Sequence, residues 1–123
     1  MTSTKDVPHL TELNFSAWER DMTARLRQLG IVRHIDATFS PRQQALIENP
    51  LKPDGTREDL SASQLTMNTQ IKMKNAEALD CFETNKEKAA GKIFAHLSAS
   101  QQTHVKGKED NPATMWTALS TVH

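Results

Sequence analysis

The side chains that most often carry catalysis or bind metals are few in this sequence, and they are scattered. The single cysteine, Cys81, has no histidine at a suggestive local spacing, so a cysteine–histidine nucleophile is not indicated. Two of the five histidines, His96 and His104, are eight residues apart across a predicted helix break. No second cysteine could complete a zinc site with them. We therefore interpret Cys81 as a small core or boundary residue, the histidines as solvated or partly packed side chains, and expect no metal site.

The sequence also lacks the short motifs that bind phosphates or carry out hydrolysis. It contains no G-x-x-x-x-G-K-[ST] loop, no G-x-G-x-x-G fingerprint, no H-E-x-x-H pair and no G-x-S-x-G elbow. The segment Asp36-Ala37-Thr38 lacks the glycine of a retroviral-type aspartic protease signature. Because no nucleophile–base pair is visible, we predict that the protein is not an enzyme and binds no cofactor.

A group of lysines in the second half of the chain could bind a polyanion. Glutamate and aspartate side chains interleave with these lysines, so a solvated helix face is the simpler interpretation. A weak nucleic-acid or subunit-contact surface is the alternative. The whole chain carries 15 basic and 15 acidic residues, for a net charge of zero. If RNA is a partner, we expect contact only indirectly or through regions outside this chain. The lysines are Lys72, Lys74, Lys86, Lys88 and Lys92.

The length and composition predict a small helical domain. The chain has 123 residues, the size of one domain, with only four glycines and five prolines. No alternating strand pattern is visible, which favours an all-α fold, and we predict a small, irregular or orthogonal bundle of about five to six helices. Residues 1–13 read as a polar N-terminal segment and residues 14–123 as a single domain. No signal peptide or membrane-spanning apolar run is visible, so we expect a cytosolic (cytoplasmic) or nuclear protein without membrane contact.

Apolar spacing predicts the first helix and the connection after it. Trp18, Met22 and Leu26 follow one another at intervals of four, which places them on one face of a helix over residues 17–29. Gly30 is suited to the position just after that helix. A short helix over Arg42–Glu48 is predicted next, and the proline- and glycine-containing stretch at 49–59 is predicted to be a surface loop.

The second half of the sequence predicts longer helices. From Ser61 onward the pattern indicates one long helix, or two helices joined near residues 74–84. Asn111 and Pro112 are suited to the cap and first turn of a last helix. The inner faces of these helices are predicted to include Phe82, Ile93, Leu97, Trp116 and Leu119.

Two tryptophan elements carry a family resemblance. The run LNFSAW at 13–18, followed by Met22, Leu26 and Gly30, resembles the N-terminal region of copia-type LTR-retrotransposon Gag, which begins with an Asn-Tyr/Phe-x-x-Trp element. The run FETNKEKA at 82–89 resembles that family's later aromatic and charged helix. ATMWTAL at 113–119 resembles its Thr-Ala-x-x-x-Trp-x-x-Leu element.

The resemblance covers about residues 10–121, with visible departures from the family pattern. Ala37 stands where the family often has glycine, and Phe82 where it often has tryptophan. The order Ala113-Thr114 is inverted, and residues 40–70 resemble an expanded connection. The residues that match the family's motifs are Phe15, Trp18, Met22, Leu26, Phe82, Ile93, Leu97, Trp116 and Leu119.

The resemblance implies an N-terminal capsid lobe: a helical bundle that assembles with copies of itself into virus-like particles around the RNA of the element. The second lobe and zinc knuckle of that family are not within these 123 residues. Because the sequence stops inside a helix-like segment, we expect a truncated or fragmentary reading frame.

This hypothesis needs apolar side chains outside the core to form weak, multivalent contacts between copies. The predicted assembly surface is Leu46, Ile47, Leu51 and Met67. The alternative is a domesticated Gag-like module that binds a host peptide or protein in a groove between helices.

Overall fold

The computed structural model describes residues 7–123, and the regular structure in them is helical. No strand longer than an isolated bridge occurs in this part of the chain, so the predicted all-α class is confirmed. The predicted count of five to six helices is reached only when two short 3-10 turns are included. The elements are α1 (Phe15–Gln28), a 3-10 turn (Val32–Ile35), α2 (Ala62–Ala95), α3 (Ala99–Gln102), a second 3-10 turn (Thr103–Val105) and α4 (Pro112–Val122).

The chain divides into two compact units, and helix α2 contributes residues to both. Unit 1 comprises residues up to Phe39 together with Glu83–His123, and unit 2 is Ser40–Phe82. Residues 1–6 of the predicted polar segment lie outside the described part. Within the rest of that segment, Leu10 is fully buried in unit 1, whereas Leu13 is 97% exposed.

The hydrophobic core of unit 1 forms around Trp18, which is fully buried. Its ring centroid lies 5.5 Å from that of Trp116 and 6.3 Å from that of Phe15, so both tryptophan elements of the sequence meet here. The indole N–H of Trp18 donates to the carbonyl of His96 at 3.1 Å. The buried members of the cluster are Val7, Leu10, Trp18, Met22, Leu26, Ile31, Ala89, Ala90, Ile93, Leu97, Val105, Met115 and Leu119.

Helix α1 ends as the sequence predicts, at a glycine with a left-handed backbone. Gly30 has a φ of 75°, which glycine adopts without steric cost. Its N–H donates to the carbonyl of Arg27 at 3.0 Å, and the N–H of Ile31 donates to the carbonyl of Leu26 at 2.9 Å. These two bonds form a Schellman motif, which satisfies carbonyls that the helix end leaves free.

Main-chain hydrogen bonds attach the N-terminal segment to the end of α2. The N–H of Leu10 donates to the carbonyl of His96 at 2.7 Å, and the N–H of Ser98 donates to the carbonyl of Leu10 at 3.0 Å. The two bonds form an isolated parallel bridge between Leu10 and Leu97. The His96 carbonyl therefore accepts from both Leu10 and Trp18.

Helix α2 is a single helix of 34 residues, which resolves the predicted choice between one helix and two. It begins with a capping box. The Ser61 N–H donates to Oε1 of Gln64 at 2.9 Å, and the Gln64 N–H donates to Oγ of Ser61 at 3.2 Å. Helix α4 also begins as predicted, since Asn111 Oδ1 accepts from the Thr114 N–H at 3.1 Å and Pro112 occupies the first turn.

The prediction of a short helix over Arg42–Glu48 is wrong, because this segment contains no helix. A helix of seven residues is not stable by itself in water. Here the main chain instead forms hydrogen bonds with side chains of α2, so its polar groups do not need partners within the segment.

The interpretation of the single cysteine as a core or boundary residue is also wrong, since Cys81 is exposed.

Candidate self-association surface

In unit 2, an extended segment is held along α2 by two asparagine side chains. We call residues 42–48 the strap. Asn75 Oδ1 accepts from the Gln44 N–H at 2.8 Å, and Asn75 Nδ2 donates to the Gln44 carbonyl at 2.9 Å. Asn68 makes the same pair of bonds with Ile47, at 2.7 and 3.1 Å. Each amide therefore satisfies both main-chain polar groups of one strap residue.

We call each of these asparagine amides, with the strap residue that it binds, a clamp. The two clamps are about the same distance apart on the helix and on the strap. Asn68 and Asn75 are seven residues apart, which is about 10.5 Å along a helix. Gln44 and Ile47 are three residues apart, which is about 9–10 Å along an extended chain. The strap runs antiparallel to α2, because its later residue binds the earlier asparagine. A polyproline II helix has three residues per turn, so main-chain groups three residues apart lie on the same side of the chain.

The predicted loop at 49–59 contains no helix and is organised by its own hydrogen bonds. The Arg57 guanidinium donates to the Asn49 carbonyl at 2.9 Å, and the Lys52 N–H donates to the Thr56 carbonyl at 2.7 Å. At the tip, the Thr56 hydroxyl and N–H donate to the Asp54 carboxylate at 2.6 and 3.0 Å. These bonds lower the pKa of Asp54, because they favour its charged form.

Unit 2 buries very little apolar surface. Within residues 40–82, all of which the structure describes, only Ile71 is buried. Of the nine large apolar side chains that the described part of the chain exposes, six lie in this unit, with exposed fractions of 41–64%. They are Leu46, Leu51, Leu65, Met67, Met73 and Leu79. These exposed apolar side chains are the candidates in this unit for contact with another protein.

The four residues predicted to form the assembly surface all lie in unit 2. Leu46, Leu51 and Met67 are exposed, so their side chains are accessible to another molecule. Ile47 differs, since it is partly buried and its main chain is held by Asn68. Leu65 and Leu79 are exposed like Leu46, Leu51 and Met67, but they were not among the predicted residues.

Eight of the nine family-motif residues lie in unit 1. Six are buried in its cluster: Trp18, Met22, Leu26, Ile93, Leu97 and Leu119. Phe15 and Trp116 are partly buried against it. Phe82 is partly buried and belongs to unit 2.

The sequence reasoning missed Asn68 and Asn75. A usable signal is present, because both asparagines lie on a series with intervals of four and three: Gln64, Asn68, Ile71, Asn75, Ala78 and Phe82. This series marks the inner side of a helix, where a polar side chain needs a partner. Apolar periodicity alone does not find it, because half of these positions are polar.

Unit 1 has a groove of about 560 Å³ between the end of α1 and the C-terminal half of α2. Leu29 and Ala95 supply exposed apolar surface, and Lys88 and Lys92 supply positive charge. The lining of this groove therefore combines apolar and basic side chains.

Metal-ligand clusters and membrane-spanning helices were sought among the described residues. Between Val7 and His123, no group of three histidine, cysteine, aspartate or glutamate side chains is placed to hold a metal ion. In the same residues, no helix is both long and apolar enough to cross a bilayer.

The comparisons with known proteins give no match: no protein-family model, no curated protein and no solved structure matches the chain.

His34 makes the stability of unit 1 depend on pH. Burial and the charge of Lys86 lower the pKa of His34 below its usual 6.5, against an opposing effect of Glu83. The unfolded chain therefore binds a proton more readily than the folded one, and stability is lost as the pH falls below 6.5. We expect His34→Gln to flatten the pH dependence of the urea midpoint between about pH 7 and 5. His104→Gln, at an exposed position, is the control; an unchanged slope in His34→Gln contradicts the prediction.

The clamps predict a local change in hydrogen exchange. In Asn68→Asp a second carboxylate oxygen replaces the amide donor and faces the Ile47 carbonyl. We expect amide exchange of the strap to accelerate about tenfold, since one hydrogen bond is lost and a repulsion is added. Gln70→Glu is the matched control, because it makes the same chemical change at an exposed position of α2. Equal strap protection in the two variants would show that the clamp does not hold the strap.

Proposed function

We propose that this protein is a non-enzymatic structural protein that self-associates, of the kind formed by the N-terminal capsid lobe of copia-type retrotransposon Gag. The observation that carries the proposal is unit 2, where one buried residue and six exposed large apolar side chains occur within 43 residues, numbered 40–82. Contacts between copies would remove this surface from water, which is the dominant favourable term in most protein association.

The family assignment within this proposal comes from the two tryptophan elements. Both belong to one cluster in unit 1, where Trp18 and Trp116 are in ring contact. The contact between the two tryptophans supports the resemblance to copia-type Gag, in which the two elements are far apart in the sequence but belong to one helical lobe. Enclosed RNA, and assembly into particles in the cytoplasm, extend the proposal by resemblance.

The size of the exposed side chains predicts weak individual contacts. Fully burying a leucine contributes about 1.5–3 kcal/mol, so each half-exposed side chain in unit 2 has about half of this to gain. A pair of copies joined by a few such contacts is a weak dimer. A shell becomes stable because each copy makes several contacts at once.

Leu46→Asp tests the proposal at one predicted position. We expect it to weaken self-association about tenfold, because an apolar contact is lost and a charge must be desolvated. The helical content by circular dichroism should not change, since Leu46 is exposed. Size-exclusion chromatography with light scattering, over a range of protein concentrations, measures the association.

Ala45→Asp is the matched control, because it adds the same charge to the neighbouring exposed residue of the strap. Equal association in both variants and the wild type would remove Leu46 from the surface. A wild-type chain that stays monomeric at every concentration would contradict self-association itself.

The groove in unit 1 favours one second candidate, a module that binds a host peptide. Lys88 and Lys92 beside Leu29 and Ala95 suit an acidic peptide with apolar anchors. A pull-down in which the chain mainly captures itself supports the capsid-type protein. Capture of one distinct partner, lost in Lys88→Glu but kept in Lys72→Glu, supports the module.

A further inference from the structure

We propose that the Asn68–Asn75 face of α2 is a binding site for an extended main chain, and that residues 43–47 of a second copy occupy it in the assembled protein. In the single chain the copy's own strap fills the site. This inference rests on the proposed self-association and specifies which element the copies exchange.

The site recognises the main chain of its ligand. Each asparagine amide binds the N–H and the C=O of one strap residue, Gln44 for Asn75 and Ile47 for Asn68. All four bonds are 2.7–3.1 Å long. The side chains of Gln44, Ala45 and Leu46 are exposed, so they contribute little to the recognition. The ligand class is therefore an extended chain whose contacting residues are three apart.

A fifth contact fixes the direction of the ligand. Nε2 of Gln43 donates to the main-chain carbonyl of Asn75 at 3.1 Å, beside the clamp on Gln44. A chain that entered in the opposite direction would place this donor elsewhere along α2. The site therefore selects an antiparallel chain, and the strap of another copy meets this requirement by having the same sequence.

A second copy is the occupant that the energetics favour. An unrelated peptide must displace the strap, which is tethered next to the site at a high effective concentration. In a reciprocal exchange between two copies, both sites stay filled and every clamp bond is formed again. The remaining cost is the association itself, which burial of the exposed apolar side chains of unit 2 offsets.

The chain between the strap and α2 is long enough for exchange. Residues 49–61 contain no helix, and their turn is closed by main-chain bonds from Glu58 to Pro50 and from Lys52 to Thr56. Thirteen residues span up to about 40 Å when these bonds open. On this side the strap can therefore reach the α2 helix of a neighbouring copy while it remains covalently joined to its own. On the other side, residues 36–42 contain no helix, join the strap to unit 1 and must extend as well.

Isotope-mixed cross-linking of the full chain tests the exchange. A photoreactive benzophenone side chain is placed at Ala45, which is exposed and adjacent to Gln44. Unlabelled and heavy-isotope chains are mixed in equal amounts at high concentration, and the dimer fraction is irradiated. Strap exchange predicts that about half of the cross-links to the region around Asn75 join chains of different isotope content. A strap held only in its own chain predicts none.

The clamp itself is tested by Asn75→Asp, with Gln70→Glu as the matched control. The same bonds hold the strap in the single chain and in the exchanged pair. The dimer dissociation constant is therefore expected to change less than about threefold in Asn75→Asp, whereas the rate of isotope mixing rises about tenfold. Gln70→Glu should change neither quantity.

The possible failures are distinguishable. Dimers that form without mixed strap cross-links overturn the exchange and leave self-association standing. Mixed cross-links whose rate of appearance is the same in Asn75→Asp and Gln70→Glu overturn the role of the clamp. Absence of any dimer overturns both the exchange and the proposed function.

Discussion

Replacing Trp18 by alanine is expected to unfold unit 1, or to lower its free energy of unfolding by about 3–5 kcal/mol. The side chain is fully buried, its ring contacts Phe15 and Trp116, and its N–H donates to the His96 carbonyl. Whole domains of this size are usually stable by about 5–15 kcal/mol, so the loss is a large part of the total. Urea unfolding followed by circular dichroism measures it.

Two further variants, one at this position and one at an exposed leucine, calibrate the loss. Trp18→Phe keeps an aromatic ring but removes the indole donor, and we expect a smaller loss of about 1–2 kcal/mol. Leu13→Ala changes a side chain that is 97% exposed and should leave the unfolding midpoint unchanged. If Trp18→Ala were as mild as Leu13→Ala, Trp18 would not anchor the core.

Introducing aspartate at both Leu65 and Leu79 is expected to weaken self-association at least about a hundredfold. The two residues are 14 positions apart on α2, so they lie within about 40° of each other around the helix and about 21 Å apart along it. Both are about half exposed. Two charges on one stripe therefore affect any copy that packs along this helix, and each contact carries a desolvation cost.

The matched control for this variant is Gln70→Glu combined with Lys74→Gln. It changes the net charge by the same two units, at exposed positions on the opposite side of α2. Light scattering across protein concentrations compares the two double variants. If both weaken association equally, net charge and not the Leu65–Leu79 stripe is responsible.

Where the fold follows apolar spacing and local capping chemistry, the sequence is sufficient to predict it. The intervals of Trp18, Met22 and Leu26 define the buried side of α1, and Gly30 ends the helix because only glycine adopts its backbone angle without strain. Asn111 and Pro112 likewise begin α4. These signals act within a few residues, so they need no knowledge of the rest of the chain.

The strap was not predictable in the same way, because its conformation depends on residues more than twenty positions later. Leu46 and Ile47 suggest a short helix, but Asn68 and Asn75 bind the main chain in an extended form. Residues 1–13 were predicted only as a polar segment, since nothing local shows that the His96 and Ser98 main chain would bind Leu10. The pairing leaves a signal in the spacing of the two asparagines on α2, but none in the local sequence of the strap.

The division of apolar residues between core and surface was predictable only in part. Ile93 and Leu97 belong to the core cluster, whereas Leu65 and Leu79 on the same helix are exposed. Local spacing does not distinguish them, because it does not show how little of the chain covers the first half of α2. The exposed set in unit 2 is therefore a finding of the structure, on which the proposed function depends.

Sedimentation velocity of the full chain at two protein concentrations, recorded at 260 and 280 nm, tests the central claim most directly. The account predicts that the sedimentation coefficient rises with concentration while the absorbance ratio stays that of a protein. That result places association in this chain and RNA binding outside it. A monomer at both concentrations would contradict self-association, and growth only with a nucleic-acid absorbance ratio would contradict the assignment of assembly to contacts between copies.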